Sequence, residues 1–192
     1  YIPAPYTAFT AVKKLPPAHW LRFKTGHLEI REYWRIGTGE DYRFPGEAEA
    51  EIRHSFDSSL RRQVISERPV GVFLSGGLDS TAVLGAASRF SPQIIDTFST
   101  GFEVDIQSEK FNTDFYLARR TARYYGTNHH ELMITAEDVR RQIERVVWHM
   151  DEPNANLTAV AGFLLARLAK DSVVVVLTGE GGDELFGGYP RY

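Results

Sequence analysis

Two glycine-rich loops with acidic residues carry most of the chemistry legible in this chain. The first is Ser75-Gly76-Gly77-Leu78-Asp79-Ser80. Without side chains, Gly76 and Gly77 let backbone N–H groups turn toward an anion and approach it closely. A helix starting at this turn would direct the positive end of its dipole at a phosphate. Asp79 supplies a carboxylate where a magnesium ion riding on that phosphate needs an oxygen ligand, although an aspartate here also suits a helix N-cap. The second loop is Thr178-Gly179-Glu180-Gly181-Gly182-Asp183-Glu184-Leu185-Phe186-Gly187-Gly188-Tyr189. Ordering five glycines is costly unless something must pass close to the backbone. Two other phosphate-binding loops are excluded by spelling. The chain has neither Gly-x-x-x-x-Gly-Lys-[Ser/Thr] nor Gly-x-Gly-x-x-Gly at a strand–helix junction.

The elements that must position these loops follow from periodicity. Val70-Gly71-Val72-Phe73-Leu74 reads as a buried strand, and Leu78, Ala82 and Ala86 recur at helical spacing after it. Val173 to Leu177 reads as a second strand, apolar enough to be covered on both faces. Between the two, Ile94–Phe98 suits a strand ending at Ser99-Thr100-Gly101. Phe111, Phe115, Ala118, Ala122 and Tyr125 mark a helix that Gly126 ends. His130–Met133 suits a third strand. Thr135 caps a helix bearing Val139, Ile143, Val146, Val147 and Met150 on one face, with Trp148 partly in the core. A helix over 158–170 precedes the Val173 strand, and one over 47–66 precedes Val70, with Ile52, Phe56, Leu60 and Val64 inward. Strands alternating with helices predict an α/β fold, a parallel twisted sheet with flanking helices. Residues 1–36 are proline-rich, with alternating stretches such as His27–Arg31 that suggest a hairpin. Residues 37–46 read as a linker.

The hexapeptide resembles the pyrophosphate loop of the ATP pyrophosphatases, enzymes that split ATP into AMP and pyrophosphate while adenylating a substrate. The second string resembles a signature of the asparagine synthetase family, whose synthetase domains carry both loops at a similar separation. Tyr1–Thr7, Lys13–His19 and Tyr33-Trp34 resemble the exit from that family's glutaminase domain, with Tyr33-Trp34 as a short closing strand. Gly126–Glu131 and Asp151-Glu152-Pro153 also match its pattern. The resemblance implies an adenine nucleotide α-hydrolase-like fold. It divides the chain into the end of a glutaminase-type domain (1–36), a linker (37–46) and the first part of an ATP-pyrophosphatase synthetase domain (47–192), a piece of a longer amidotransferase.

The implied cofactors are ATP and Mg2+. Ser75, Gly76, Gly77, Asp79 and Ser80 would hold the pyrophosphate end, and Asp79 with Asp183 the metal. Glu180 resembles the catalytic glutamate that orients or deprotonates ammonia. Phe73, Thr100, Thr178 and Gly179 resemble adenosine-binding positions. The implied reaction is amidation of a carboxylate, aspartate to asparagine in the family, through an acyl-adenylate. Other carboxylates, or a non-catalytic nucleotide-binding module, stay open. Asn156-Leu157-Thr158-Ala159 departs from the family's spellings and lacks an arginine to pair with a substrate carboxylate. The chain has no cysteine, so the glutaminase, which begins with a catalytic cysteine in this family, would lie outside it and supply the ammonia. A homodimer of the longer protein is compatible with the resemblance.

Composition sets further bounds. The net charge of −3 disfavours a nucleic-acid or membrane surface. The absence of cysteine removes any disulfide framework and makes the cytoplasm the expected location. His129-His130 suit packing or hydrogen bonding better than metal binding, since no third ligand stands at a suitable spacing.

Overall fold

A computed structural model describes residues 2–37, 44–105, 108–152, 156 and 158–189. Contacts divide the chain into two units, Tyr1–Phe44 with Glu144–Asn156 and Pro45–Ile143 with Leu157–Tyr192.

The first unit holds an antiparallel hairpin, β1 (His19–Lys24) and β2 (His27–Glu32), with Leu21 opposite Ile30 and Phe23 opposite Leu28. Thr25 and Gly26 both take positive φ, the geometry a two-residue hairpin turn requires. The strand expected at Tyr33-Trp34 is absent. β1 begins at His19, so Tyr33 finds only the Ala18 carbonyl opposite its N–H. Most of the linker expected over 37–46, residues 38–43, lies outside the described residues.

The second unit begins with α1 (Pro45–Gln63). Leu60 is buried, and Phe56 and Val64 pack beside it, whereas Ile52 is exposed. There follow β3 (Val70–Phe73), α2 (Leu78–Phe90), β4 (Asp96–Phe102), α3 (Ser108–Phe111), α4 (Thr113–Tyr125) and β5 (Asn128–Ile134). The chain continues through α5 (Ala136–Met150), α6 (Thr158–Ala169), β6 (Val175–Leu177) and the single turn α7 (Gly182–Phe186). Four strands form one parallel sheet in the order β5-β4-β3-β6. The parallel α/β architecture expected from the sequence is present.

Alternation along the strands divides the core between the two sheet faces. Val72, Leu74 and Leu177 pack with Leu60, Val83, Leu84, Ala118 and Ala122 on one face. Phe98, fully buried, packs with Leu165, Ala169 and Val173 on the other. Burying a side chain such as Phe98 contributes about 1.5–3 kcal/mol.

Several elements differ from the sequence pattern. β4 starts at Asp96, leaving Ile94 exposed, and runs on to Phe102 because β5 pairs with it throughout. The helix expected from Phe111 to Tyr125 is divided at Asn112. The buried Asn112 side chain leaves the helix to bond Phe102, accepting from its N–H at 2.7 Å and donating to its carbonyl at 2.9 Å. Phe111 is exposed as a result. β6 is shorter than expected and not covered on both faces, since Val174 and Val175 are exposed. Among the described residues it pairs with β3 alone. Trp148, expected to be partly in the core, is 80 % exposed.

The helix ends agree with their sequence signals. Gly126 ends α4 in the left-handed conformation. Thr135 Oγ1 accepts from the Asp138 N–H, and the Asp138 carboxylate accepts from the Thr135 N–H, a reciprocal cap for α5.

Candidate functional site

β3 lies between β4 and β6, so the chain leaves it in one direction through β4 and β5 and returns on its other side as β6. Ligands of open α/β sheets bind at such a reversal, beyond the carboxyl ends of the strands. The two loops found in the sequence leave those ends side by side. Ser75–Gly77 follows β3, and Thr178–Gly181 follows β6.

The first loop is held from within. The Ser75 N–H donates to Ser80 Oγ at 3.2 Å, and the two serine hydroxyls lie 2.9 Å apart. Ser80 Oγ also donates to the Gly77 carbonyl, and the Gly77 N–H donates to Ser75 Oγ. Ser80 is buried and its hydroxyl is spent inside the loop, whereas Ser75 and Gly77 are exposed. The residue at the N-cap of α2 is Gly77, with no side-chain cap, and Asp79 falls in the first turn.

Gly76 shows why the loop needs glycine. Its φ is +81°, and a Cβ there would lie 2.5 Å from the Asp114 carbonyl oxygen and 2.6 Å from the Ala118 nitrogen. The loop is therefore seated directly on the backbone of α4.

The second loop closes on the first. A Cβ on Gly179 would lie 2.6 Å from the Ser80 nitrogen and 3.0 Å from Asp79 Cβ. A Cβ on Gly182 would overlap the Asp79 carboxylate. Asp183 follows Gly182 in the first turn of α7, and its own carboxylate lies against Gly188. The structure thus brings Ser75, Gly76, Gly77, Asp79, Ser80, Gly179 and Asp183 into one neighbourhood. Two loops roughly a hundred residues apart are in van der Waals contact there.

Residues 51–192 match the family described as asparagine synthase. The chain belongs to that family. It is 34% identical over its whole length to asparagine synthetase [glutamine-hydrolyzing] 1 of Bacillus subtilis. It is 32% identical over 98% of its length to a putative asparagine synthetase of Methanocaldococcus jannaschii. It covers 30% and 36% of those two proteins, so it spans about a third of the curated relatives it matches. In three dimensions it is similar to the glutamine-dependent NAD+ synthetase of Acinetobacter baumannii, solved in complex with ADP. The TM-score is 0.50 at 20% identity, over 85% of this chain and 32% of that one. The fold is that of the adenine nucleotide α-hydrolases with a pyrophosphate loop.

The remaining expected positions sit at the carboxyl ends of the strands. Phe73, half-buried, ends β3 with its ring edge-on to Phe98 at 6.4 Å. Thr100 lies near the end of β4, two residues past Phe98, which pairs with Phe73. Thr178 and Glu180 are exposed, and the Thr178 hydroxyl accepts from the Glu180 N–H at 3.4 Å. Among the described residues no three His, Cys, Asp or Glu side chains are grouped to hold a metal. Asp79, against Gly182, and the adjacent Asp183 could each offer a carboxylate, which falls short of a cage made by the protein. That suits Mg2+, which commonly takes one or two carboxylates and completes its shell with phosphate oxygens and water.

His129 and His130 are engaged elsewhere. His129 hydrogen-bonds Thr97 Oγ1 at 2.9 Å and Ser99 Oγ at 3.2 Å, and burial holds its imidazole below the ordinary value. His130 bonds Asp96 at 2.7 Å and stacks on Phe98. Pro153 and Leu157, in the matched and departing stretches of the sequence, lie outside the described residues.

Sequence reasoning assigns no individual role to Gly182 and none to the first turn of α4. Gly182 carries a signal, being one of a glycine pair beside an aspartate. The seat on α4 carries none, because Asp114, Leu117 and Ala118 meet the loop mainly through backbone atoms.

Proposed function

We propose that the two loops bind Mg2+–ATP and that the longer protein uses it to amidate a carboxylate, most simply aspartate to asparagine. The observation that carries this reading is the packing of Gly179 and Gly182 against Ser80 and Asp79. It joins an anion-binding turn and an acidic loop into one site at the sheet's reversal point. Family membership and the asparagine synthetases it resembles support the same chemistry. The ADP held by the structurally similar NAD+ synthetase supports an adenine nucleotide here.

In this reading the exposed Gly77 and Ser75 face the β- and γ-phosphates, while Ser80 shapes the loop from inside. Phe73, Thr100, Thr178 and Gly179 border the adenosine. Asp79 and Asp183 would hold Mg2+, which would neutralise the phosphate oxygens and make pyrophosphate a better leaving group. A carboxylate oxygen attacks the α-phosphorus and the α–β phosphoanhydride bond breaks, giving an acyl-adenylate and pyrophosphate. Ammonia, supplied by a glutaminase domain of the longer protein, then attacks the acyl carbon. Glu180 takes the proton nitrogen loses, and AMP leaves with the electron pair of the broken C–O bond.

A second reading keeps every step and changes the acid. Asn156-Leu157-Thr158-Ala159 offers no arginine to a second carboxylate, which favours testing other acids. No helix among the described residues is long and apolar enough to cross a membrane. Mg2+-dependent exchange of labelled pyrophosphate into ATP by the full-length protein tests the proposal. Aspartate-dependent exchange supports the first reading, exchange only with another acid supports the second, and ATP binding with no exchange for any acid refutes both.

A further inference from the structure

We infer that Glu131 is a positioning residue for the nucleotide site, tying α4, which seats the phosphate loop, to β4, which carries Thr100. The inference rests on the nucleotide-binding reading above and names a group in the site's support that touches neither nucleotide nor metal.

The path is continuous. Gly76 sits on the backbone of Asp114 and Ala118, so a shift of α4 moves the phosphate loop with it. Arg119, the next residue along α4, forms a two-pronged pair with Glu131 of β5, Nε to Oε1 at 2.6 Å and a terminal nitrogen to Oε2 at 2.8 Å. Its guanidinium also lies over the Phe115 and Tyr116 rings of the same helix, which orients the fork before it meets the carboxylate. Glu131 itself stands opposite Ser99 of β4 in the parallel pairing of β5 with β4, and its Oε1 is 3.5 Å from His129 Nε2, an ion pair when that imidazole is protonated. His129 in turn bonds Thr97 and Ser99, both buried on β4, and Thr100 is the next residue. One carboxylate therefore ties the helix under the phosphate loop to the strand pair that leads to Thr100. A displacement of about 1 Å in such a support is enough to cost a large factor in function.

Partial exposure of the pair makes the idea testable, because exposed ion pairs add little to folding stability. The experiment compares full-length wild type with Glu131→Gln, Arg119→Ala and the double variant, measuring MgATP affinity by calorimetry and melting temperature separately. Each single variant is expected to weaken MgATP binding roughly fivefold, and the double variant no more than the poorer single, as for two residues acting through one contact. Melting temperatures are expected to move by no more than about 3 °C. Arg119→Lys, which keeps the charge but loses the fork, provides a milder variant should Glu131→Gln fail to fold. Unchanged affinity with a lowered melting temperature, or losses that multiply in the double variant, overturns the inference. Wild type that binds MgATP without exchanging pyrophosphate refutes the amidation reading while the affinity comparison still decides the role of Glu131. Wild type that does not bind MgATP refutes both.

Discussion

The carboxylate of Asp79 rests against the backbone of Gly182, leaving no space for a side chain at that position. The contact unites the end of β3 with the end of β6, and it places the Asp79 carboxylate one residue from Asp183. Gly182→Ala should leave the fold intact, because a rotating side chain can yield, but it should displace Asp79. We expect roughly a tenfold or greater loss in pyrophosphate exchange, about 1.4 kcal/mol, with little change in melting temperature. Asp79→Ala, which removes the carboxylate altogether, should cost at least about 3 kcal/mol in transition-state stabilisation. Near-normal turnover of Asp79→Ala would remove the metal assignment.

Gly76→Ala should behave differently. The added methyl meets the backbone of α4 instead of a movable side chain, and φ is +81°. Left-handed strain and overpacking together should destabilise the protein by about 2–4 kcal/mol. Urea unfolding measures this directly, and a variant as stable as wild type would show that the loop is not seated on α4.

Glu180→Gln should separate the two halves of the reaction. Glu180 is exposed, and it bonds Thr178 through its backbone N–H, which Gln keeps. Exchange of pyrophosphate into ATP should stay within about twofold, while ammonia-dependent AMP release falls by roughly a hundredfold or more. Equal loss in both assays would place Glu180 in adenylation instead.

His129 should give the fold a dependence on pH. Burial lowers its folded-state pKa below the ordinary value near 6.5, outweighing the opposing pull of Glu131, with Arg119 and His130 lowering it further. The unfolded chain then binds more protons than the folded one as pH falls through about 6.5, so stability is full above that value and declines below it. Urea midpoints between pH 8 and 5 should fall on the acid side, and His129→Gln should flatten that part of the curve. An unaltered slope in His129→Gln would assign the dependence to another group.

Asn112→Ala should destabilise the end of β4. It would remove the two bonds from the buried Asn112 amide to the Phe102 N–H and carbonyl, at about 0.5–1.5 kcal/mol each. Hydrogen exchange at the Phe102 N–H should quicken more than at Phe98, which lies in the middle of β4 with β3 on one side and β5 on the other. Equal protection at both would argue against this clasp.

Local patterns made much of this legible. Val70–Phe73 followed by Leu78, Ala82 and Ala86 announced a strand, a turn and a helix because those periods are set by neighbours in the chain. Thr135 and Gly126 marked helix ends for the same reason. What escaped depended on distant partners. Asn112 interrupts a continuous helical period because its amide finds Phe102 ten residues away. Val174 and Val175 look like core, yet β6 has one described neighbour. The seat of Gly76 on α4 left no trace in residue types, since backbone makes most of the contact.

The sheet order also has a consequence for how the protein is made. The first loop follows β3 and the second follows β6, with seven elements between them in the chain, yet the two strands are neighbours. Such a site has high contact order, and it stays unfinished on a growing chain until β6 has docked beside β3. Any ligand that needs both loops would bind only once β3 and β6 are paired, stabilising that state by mass action. Nucleotide binding would then serve as a check that β6 had docked beside β3.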